Sequence, residues 1–123
     1  MSHRETPALF VFFLLQTRPA WLAKTPTERD RFMRDTLLPL LDRRRGVKLR
    51  YFDAEAYSAA VTDVLMWQVT VEADYRALVE DLRETRFWGH YFDVLQILPT
   101  VEDGFATHYR VPGFSALLPQ EAG

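Results

Sequence analysis

The sequence predicts an α+β fold with the chain order βαββαβ, and three observations predict it. Four runs carry strand character, at 9–16, 47–53, 62–69 and 91–98. Two longer stretches, 25–44 and 72–85, carry helical periodicity. These helices separate the first strand from the second and the third from the fourth. Only a short connection joins the two middle strands.

The first strand is Leu9 to Gln16. Ala8 to Leu15 reads ALFVFFLL behind Arg4, which has the outline of a secretion signal. Glu5 offsets the arginine, the run is short, and Gln16-Thr17-Arg18-Pro19 follows it. Aromatic content and a β-branched residue favour a buried strand. The segment Pro19-Ala20-Trp21-Leu22 reads as a loop.

Thr25-Pro26-Thr27-Glu28 then opens a helix, with Thr25 as N-cap, Pro26 at N1 and Glu28 closing a capping box. Met33, Leu37, Leu40 and Leu41 form its apolar face, and Gly46 ends it. Pro39 removes the bond to the Asp35 carbonyl and predicts a kink or a break. Arg43-Arg44-Arg45 reads as favourable charge at the negative helix end, or as an anion site.

Strand two, Val47 to Asp53, alternates Val47, Leu49 and Tyr51 against Lys48, Arg50 and Phe52. A turn or short helical segment, 54–60, leads to strand three, Thr62 to Val69. The second helix, Glu72 to Thr85, takes Thr70 as N-cap and buries Tyr75, Leu78, Val79 and Leu82. Acids lie in its first turn and arginines in its last, and Gly89 stops it. Strand four runs from Tyr91 to Leu98 and is closed by Pro99. The segment 101–109 reads as a short helix or an added edge.

This order is the ferredoxin-like plan, one antiparallel sheet with two helices on one face. The other face is left bare, and a bare aromatic face invites association. The expectation is a homodimer with two sheets packed face to face about a twofold axis, a dimeric α/β barrel. One domain covers 1–110, with a loose leader at 1–7 and a C-terminal tail at 111–123.

Composition narrows the function. The chain has 123 residues, a net charge of −2 and no cysteine. Disulfides, thiolate metal sites and thiol catalysis are excluded. The charge argues against nucleic acid as a partner, and no run reaches the ~20 residues of a membrane helix. A cytoplasmic protein is expected. No Gly-x-Gly-x-x-Gly, P-loop or Gly-x-Ser-x-Gly string is present. Aromatics make up 14% of the residues, more than one modest core needs, so some of them fit a pocket or a subunit interface.

Several strings point to a family. They are Phe12-Phe13-Leu14-Leu15, Pro19-Ala20-Trp21-Leu22, the FDAEA string from Phe52 to Ala56, and Asp63 to Trp67. Leu82-Arg83-Glu84-Thr85-Arg86-Phe87-Trp88, Tyr91-Phe92, Glu102-Asp103 and His108-Tyr109 complete the set. Over Leu9 to Tyr109 the chain resembles the darcynins, small bacterial proteins of uncharacterised function. The resemblance implies a single compact bacterial domain and supplies no reaction.

The candidate residues therefore come from the pattern. Asp53, Glu55 and Tyr57 follow strand two and Asp63 opens strand three. Neighbouring carboxylates can divide acid and base roles, or simply make turns. Lys48 and Arg50 point to the barrel side if Val47, Leu49 and Tyr51 face the helices. Arg50 then pairs with Asp93 or Asp63, or clamps an anionic ligand. His90 and His108 have the titration range of a general base, or serve as surface groups. His108 as a haem ligand is a fold-level analogy, and the expectation is no metal and no cofactor. Trp67 and Trp88 either pack in the core or stack on a planar ligand. The catalytic candidates are thus Asp53, Glu55, Asp63, His90 and His108. The ligand-binding candidates are Arg50, Tyr57, Trp67, Trp88 and Asp93. Two functions remain: a cofactor-independent enzyme doing acid/base chemistry on an apolar or aromatic small molecule, and a non-catalytic dimer that binds an apolar ligand or a protein. Convergence of Arg50, Asp63, Trp67 and Asp93 on one cavity would favour the enzyme.

Overall fold

A computed structural model describes residues 7–120; residues 1–6 of the leader expected at 1–7, with His3, and the last residues of the tail lie outside them. Strands β1 (Leu9–Thr17), β2 (Val47–Asp53), β3 (Asp63–Val69) and β4 (Phe92–Thr100) form one sheet in the order β2-β3-β1-β4. Every pairing is antiparallel. This is the α+β architecture that the strand and helix order predicts.

Alternation decides what each side of the sheet does. Val11, Phe13 and Leu15 of β1 and Leu65, Trp67 and Val69 of β3 are fully buried. Cross-strand partners point the same way, so the register places Leu49 beside Trp67 and Tyr51 beside Leu65 on this side. The helices cover it. Leu37 and Leu40 come from the first helical segment, and Leu78 and Leu82 from α4 (Glu72–Arg83); all four join the core cluster.

The first helical segment is divided. A short α1 (Pro19–Leu22) occupies the expected loop, then α2 (Pro26–Phe32), a π turn (Met33–Leu37) and α3 (Leu38–Arg43) follow without a gap. The Leu38 N–H donates to the Met33 carbonyl, five residues back. Pro39 has no N–H, and its ring would press on the Asp35 carbonyl in a regular helix. Widening the preceding turn removes that clash, so the expected break takes the form of a π bulge.

Other expectations are corrected. Thr70 is not the cap of α4: its hydroxyl donates to the Gly46 carbonyl at 3.0 Å, and Val71 holds the N-cap position. The Asp74 carboxylate instead accepts from the Gly46 N–H at 2.9 Å. A Cβ at Gly46 would lie 2.4 Å from the Val71 Cβ, so only glycine fits there. Pro99 does not close β4 but lies within it, opposite Val11. Because β4 is an edge strand, no ladder bond on its outer side is lost. The C-terminal segment carries further helix. Beyond α5 (Gly104–Tyr109), α6 (Phe114–Leu117) starts at the Asp103 carboxylate, which accepts from the Phe114 and Ser115 N–H groups at 3.0 and 3.2 Å. The Ser115 side chain, and then these backbone bonds, hold the Asp103 carboxyl below the usual range.

Among the described residues no helix packs closely on the opposite side of the sheet. Phe10, Phe12 and Leu14 alternate with the core residues of β1, and none is fully buried. One row across this side reads Arg50, Met66, Phe12, Leu98.

Truncating Phe13 to Ala should cost about 3–5 kcal/mol, because its ring is fully buried and packs edge-on against Trp67 at 5.5 Å. Urea denaturation checks this, and a loss under about 1 kcal/mol would mean that the strand packs otherwise.

Candidate functional site

An apolar concavity lies on the helix side, at the β2 edge. It has a volume of about 460 Å³ and is lined by Trp21, Met33, Leu37, Leu38, Leu41, Leu49 and Tyr51. Local chemistry fixes each wall. Thr25 and Glu28 form the expected capping box, at 3.2 and 2.8 Å, which sets where α2 begins. Arg29 of α2 donates through Nε to the Trp21 carbonyl at 3.2 Å and through a terminal nitrogen to the Leu22 carbonyl at 3.2 Å. The last carbonyls of α1 are thus satisfied, and the Trp21 ring is held against Phe92 and Phe32, with centroids 4.9 and 5.7 Å away. Met33, Leu37, Leu38 and Leu41 come from the π turn and α3, and Leu49 and Tyr51 from β2.

One polar group stands in this apolar wall. The Tyr51 hydroxyl donates to Oδ1 of Asp63 at 3.0 Å. The Thr62 hydroxyl donates to Oδ2 at 2.7 Å and itself accepts from the Thr17 N–H at 2.8 Å. Asp63 is only 6% exposed and is the buried charged residue of the core. Burial pushes its carboxyl above the usual carboxylate range, the Thr62 and Tyr51 bonds pull it down, and Asp53 nearby pushes it up. Burial, then the charge of Asp63, raises the Tyr51 phenol well above its ordinary value. Tyr51 therefore stays protonated at physiological pH. Its proton is committed to Asp63, and its oxygen keeps lone pairs for another donor.

The structure does not bring Arg50, Asp63, Trp67 and Asp93 together. Asp63 and Trp67 lie on the helix side. Arg50 and Asp93 lie on the open side, at opposite edges of the sheet. Trp67 is wholly buried, and its indole N–H has no partner. Asp93 pairs with Arg18 at 2.9 Å, an exposed contact worth little. Arg50 lies over the Phe52 ring at 5.2 Å.

The remaining candidates are also separate from the cleft. Asp53 accepts from the Glu55 N–H at 3.0 Å, which is turn chemistry, and Glu55 is exposed. Tyr57 is 92% exposed. Trp88 caps the core, edge-on to Phe13 at 5.9 Å and under the Arg83 guanidinium at 4.6 Å. His90 and His108 are exposed, each with its ring beside the following tyrosine. Among the described residues no three His, Cys, Asp or Glu side chains are grouped to hold a metal ion. No described helix is long and apolar enough to cross a membrane.

The sequence reading missed the cleft itself. Met33, Leu37, Leu40 and Leu41 count there as one helix stripe, but of these only Leu37 and Leu40 are buried, while Met33 and Leu41 pack partly exposed against the core. The available signal was Leu38, an apolar residue off that stripe, which is 50% exposed.

Comparison with known proteins places the chain. A family model described as Darcynin, domain of unknown function, matches residues 2–118. The chain belongs to the darcynin family. A darcynin homolog from Granulibacter bethesdensis is 42% identical over 111 residues, which are 89% of this chain and 90% of that protein. One from Streptomyces avermitilis is also 42% identical over 111 residues, 89% and 92% of the two chains. Among solved structures, a mutant chlorite dismutase from Candidatus Nitrospira defluvii superposes with a TM-score of 0.65 at 14% identity. The match covers 95% of this chain and 51% of that one. The same enzyme in complex with imidazole gives 0.64 at 14% identity, covering 95% and 50%. This darcynin thus spans about half the length of the solved chains it matches, and the likeness is one of fold.

Two outcomes follow for the Asp63 network. Tyr51→Phe removes a hydrogen bond to a buried charge and should cost about 1.5–3 kcal/mol in chemical denaturation. The folded Asp63 carboxyl titrates above its unfolded value, so its contribution to stability is present at low pH and lost as pH rises through the folded value. The stability of wild type relative to Asp63→Asn should therefore fall as pH rises from the ordinary carboxylate range through the raised folded value. A difference that stays flat or rises with pH would contradict the burial of this charge.

Proposed function

We propose that this darcynin is a homodimer that binds an apolar or aromatic small molecule carrying a hydroxyl or N–H group. The observation that carries this reading is the single polar anchor in the apolar cleft. Leu38, Leu41, Met33 and Trp21 offer surface to a flat apolar body. The Tyr51 oxygen offers one acceptor, polarised by the bond it donates to Asp63. A ligand that donates there satisfies the remaining lone pairs of Tyr51. A ligand without a donor leaves them dry.

Dimerisation supplies the rest. Phe10, Phe12, Leu14, Met66 and Leu98 make one apolar surface on the open side of the sheet. Phe105, Tyr109, Phe114 and Leu117 of the C-terminal segment are exposed as well. A soluble monomer rarely carries that much contiguous apolar area. A second copy packed open side to open side covers it, in the dimeric α/β barrel arrangement.

A second reading, proton transfer, has its own observation in the raised carboxyl of Asp63. Both Asp63 oxygens already accept hydrogen bonds. A ligand proton would therefore pass to the Tyr51 oxygen while the Tyr51 proton moves to Asp63, and the return transfer would deliver it to another ligand atom. In that case Asp63→Asn keeps binding and loses the transfer.

Calorimetric titration with 2-naphthol and with naphthalene tests the binding reading. Wild type should prefer 2-naphthol by about fivefold, the value of one hydrogen bond of about 1 kcal/mol. Tyr51→Phe should erase the preference and keep the naphthalene affinity. Leu38→Lys should weaken both. Equal affinity of wild type for the two probes, or indifference to Leu38→Lys, would overturn the reading.

A further inference from the structure

The open side of the sheet carries its charge unevenly. Lys48 and Arg50 project from β2, at one edge. Both are exposed, and among the described residues neither meets a carboxylate. At the other edge β4 ends at Thr100, and Glu102 follows. Glu102 accepts one bond, from the Ser115 hydroxyl at 3.2 Å, and remains exposed. With Phe10, Phe12, Met66 and Thr100 it walls a hollow of about 280 Å³ on this side. The surface therefore runs from a cationic edge, across an apolar middle, to an anionic edge.

Two sheets can meet about a twofold axis in two ways. With the axis across the strands, β2 lies over its own copy. Lys48 and Arg50 then face a second Lys48 and Arg50, and four cations crowd one edge. Like charges brought together in this way cost several kcal/mol. With the axis along the strands, β2 lies over the partner's β4, and residues of one row stay level. Lys48 belongs to the row of Gln68, Phe10 and Thr100. Glu102 stands one step beyond that row, within reach of a long cationic side chain.

We infer that the open side of the sheet is a self-complementary interface in which the Lys48–Arg50 edge of one copy pairs with the Glu102 edge of the other. The occupant is a second copy of this chain. The inference rests on the homodimer proposed above and specifies its orientation. Each dimer holds the contact twice. The apolar middle supplies affinity, and the charged edges choose between the two orientations. The C-terminal segment enters the same interface, because Asp103 ties α6 beside Glu102 and so sets the anionic edge.

Sedimentation equilibrium on the full chain tests this with charge reversal. Lys48→Glu combined with Arg50→Glu should raise the dimer dissociation constant at least tenfold at low salt. Glu102→Lys alone should also raise it. Joining all three substitutions should restore the affinity to within about threefold of wild type. Wild-type affinity should fall when sodium chloride is raised. Should the double variant fail to fold by circular dichroism, Glu102→Lys alone decides, since it lies on an exposed segment. A dimer indifferent to Glu102→Lys, or one that the triple variant does not rescue, would overturn this pairing and leave the homodimer standing. A wild-type monomer would overturn the homodimer itself.

Discussion

Alternation along β1 puts Val11, Phe13 and Leu15 on one side of the sheet and Phe10, Phe12 and Leu14 on the other, so the central strand is apolar on both. One chain of this length supplies helices for one side only. Leu37, Leu40, Leu78 and Leu82 seal that side, with Trp67 and Phe13 at its centre. The other side keeps its aromatic rings without a layer above them. The aromatic surplus follows from this two-sided demand, and so does the pressure toward association.

The covered side is not closed evenly. α4 lies snugly over the middle of the core, but the first helical segment must pass Pro39. The π turn that accommodates it precedes an outward-facing Leu38, and Met33 and Leu41 line one wall of a cleft whose other wall is β2. A cleft opens between them, and Tyr51 stands in it. Asp63 costs stability where it lies, because a desolvated carboxylate is unfavourable even with two hydrogen bonds. A leucine in its place would pack the end of the sheet without that cost. The retained charge keeps Tyr51 protonated and fixes its hydroxyl, which is the property a ligand anchor needs.

The fold was legible in the sequence because strand two announced itself by alternation, strand one by its aromatic and β-branched run, and the first helix by its capping box. Boundaries shifted by one or two residues, and Pro99 stayed within β4 because edge geometry tolerates it. The two-sided placement of Lys48 and Arg50 against Leu49 and Tyr51 was also readable from period two alone. The site was not. Asp63 stood among the candidates, but grouping it with Arg50 and Asp93 required a register that no single strand reveals. Once β2 pairs Tyr51 with Leu65, Asp63 must share the helix side with Tyr51 and lie opposite Arg50. The cleft depends on a π turn five residues long; Pro39 signals a kink or a break in the sequence, but not that the break takes the form of a widened turn.

Everything in this account beyond the single chain depends on what covers Phe10, Phe12 and Met66. Light scattering at micromolar concentration measures that most directly. The homodimer should show twice the 14.4 kDa chain mass, falling to a single chain mass when Phe12 and Met66 are both changed to Glu. A wild-type mass of one chain, unchanged across the micromolar range, would contradict it.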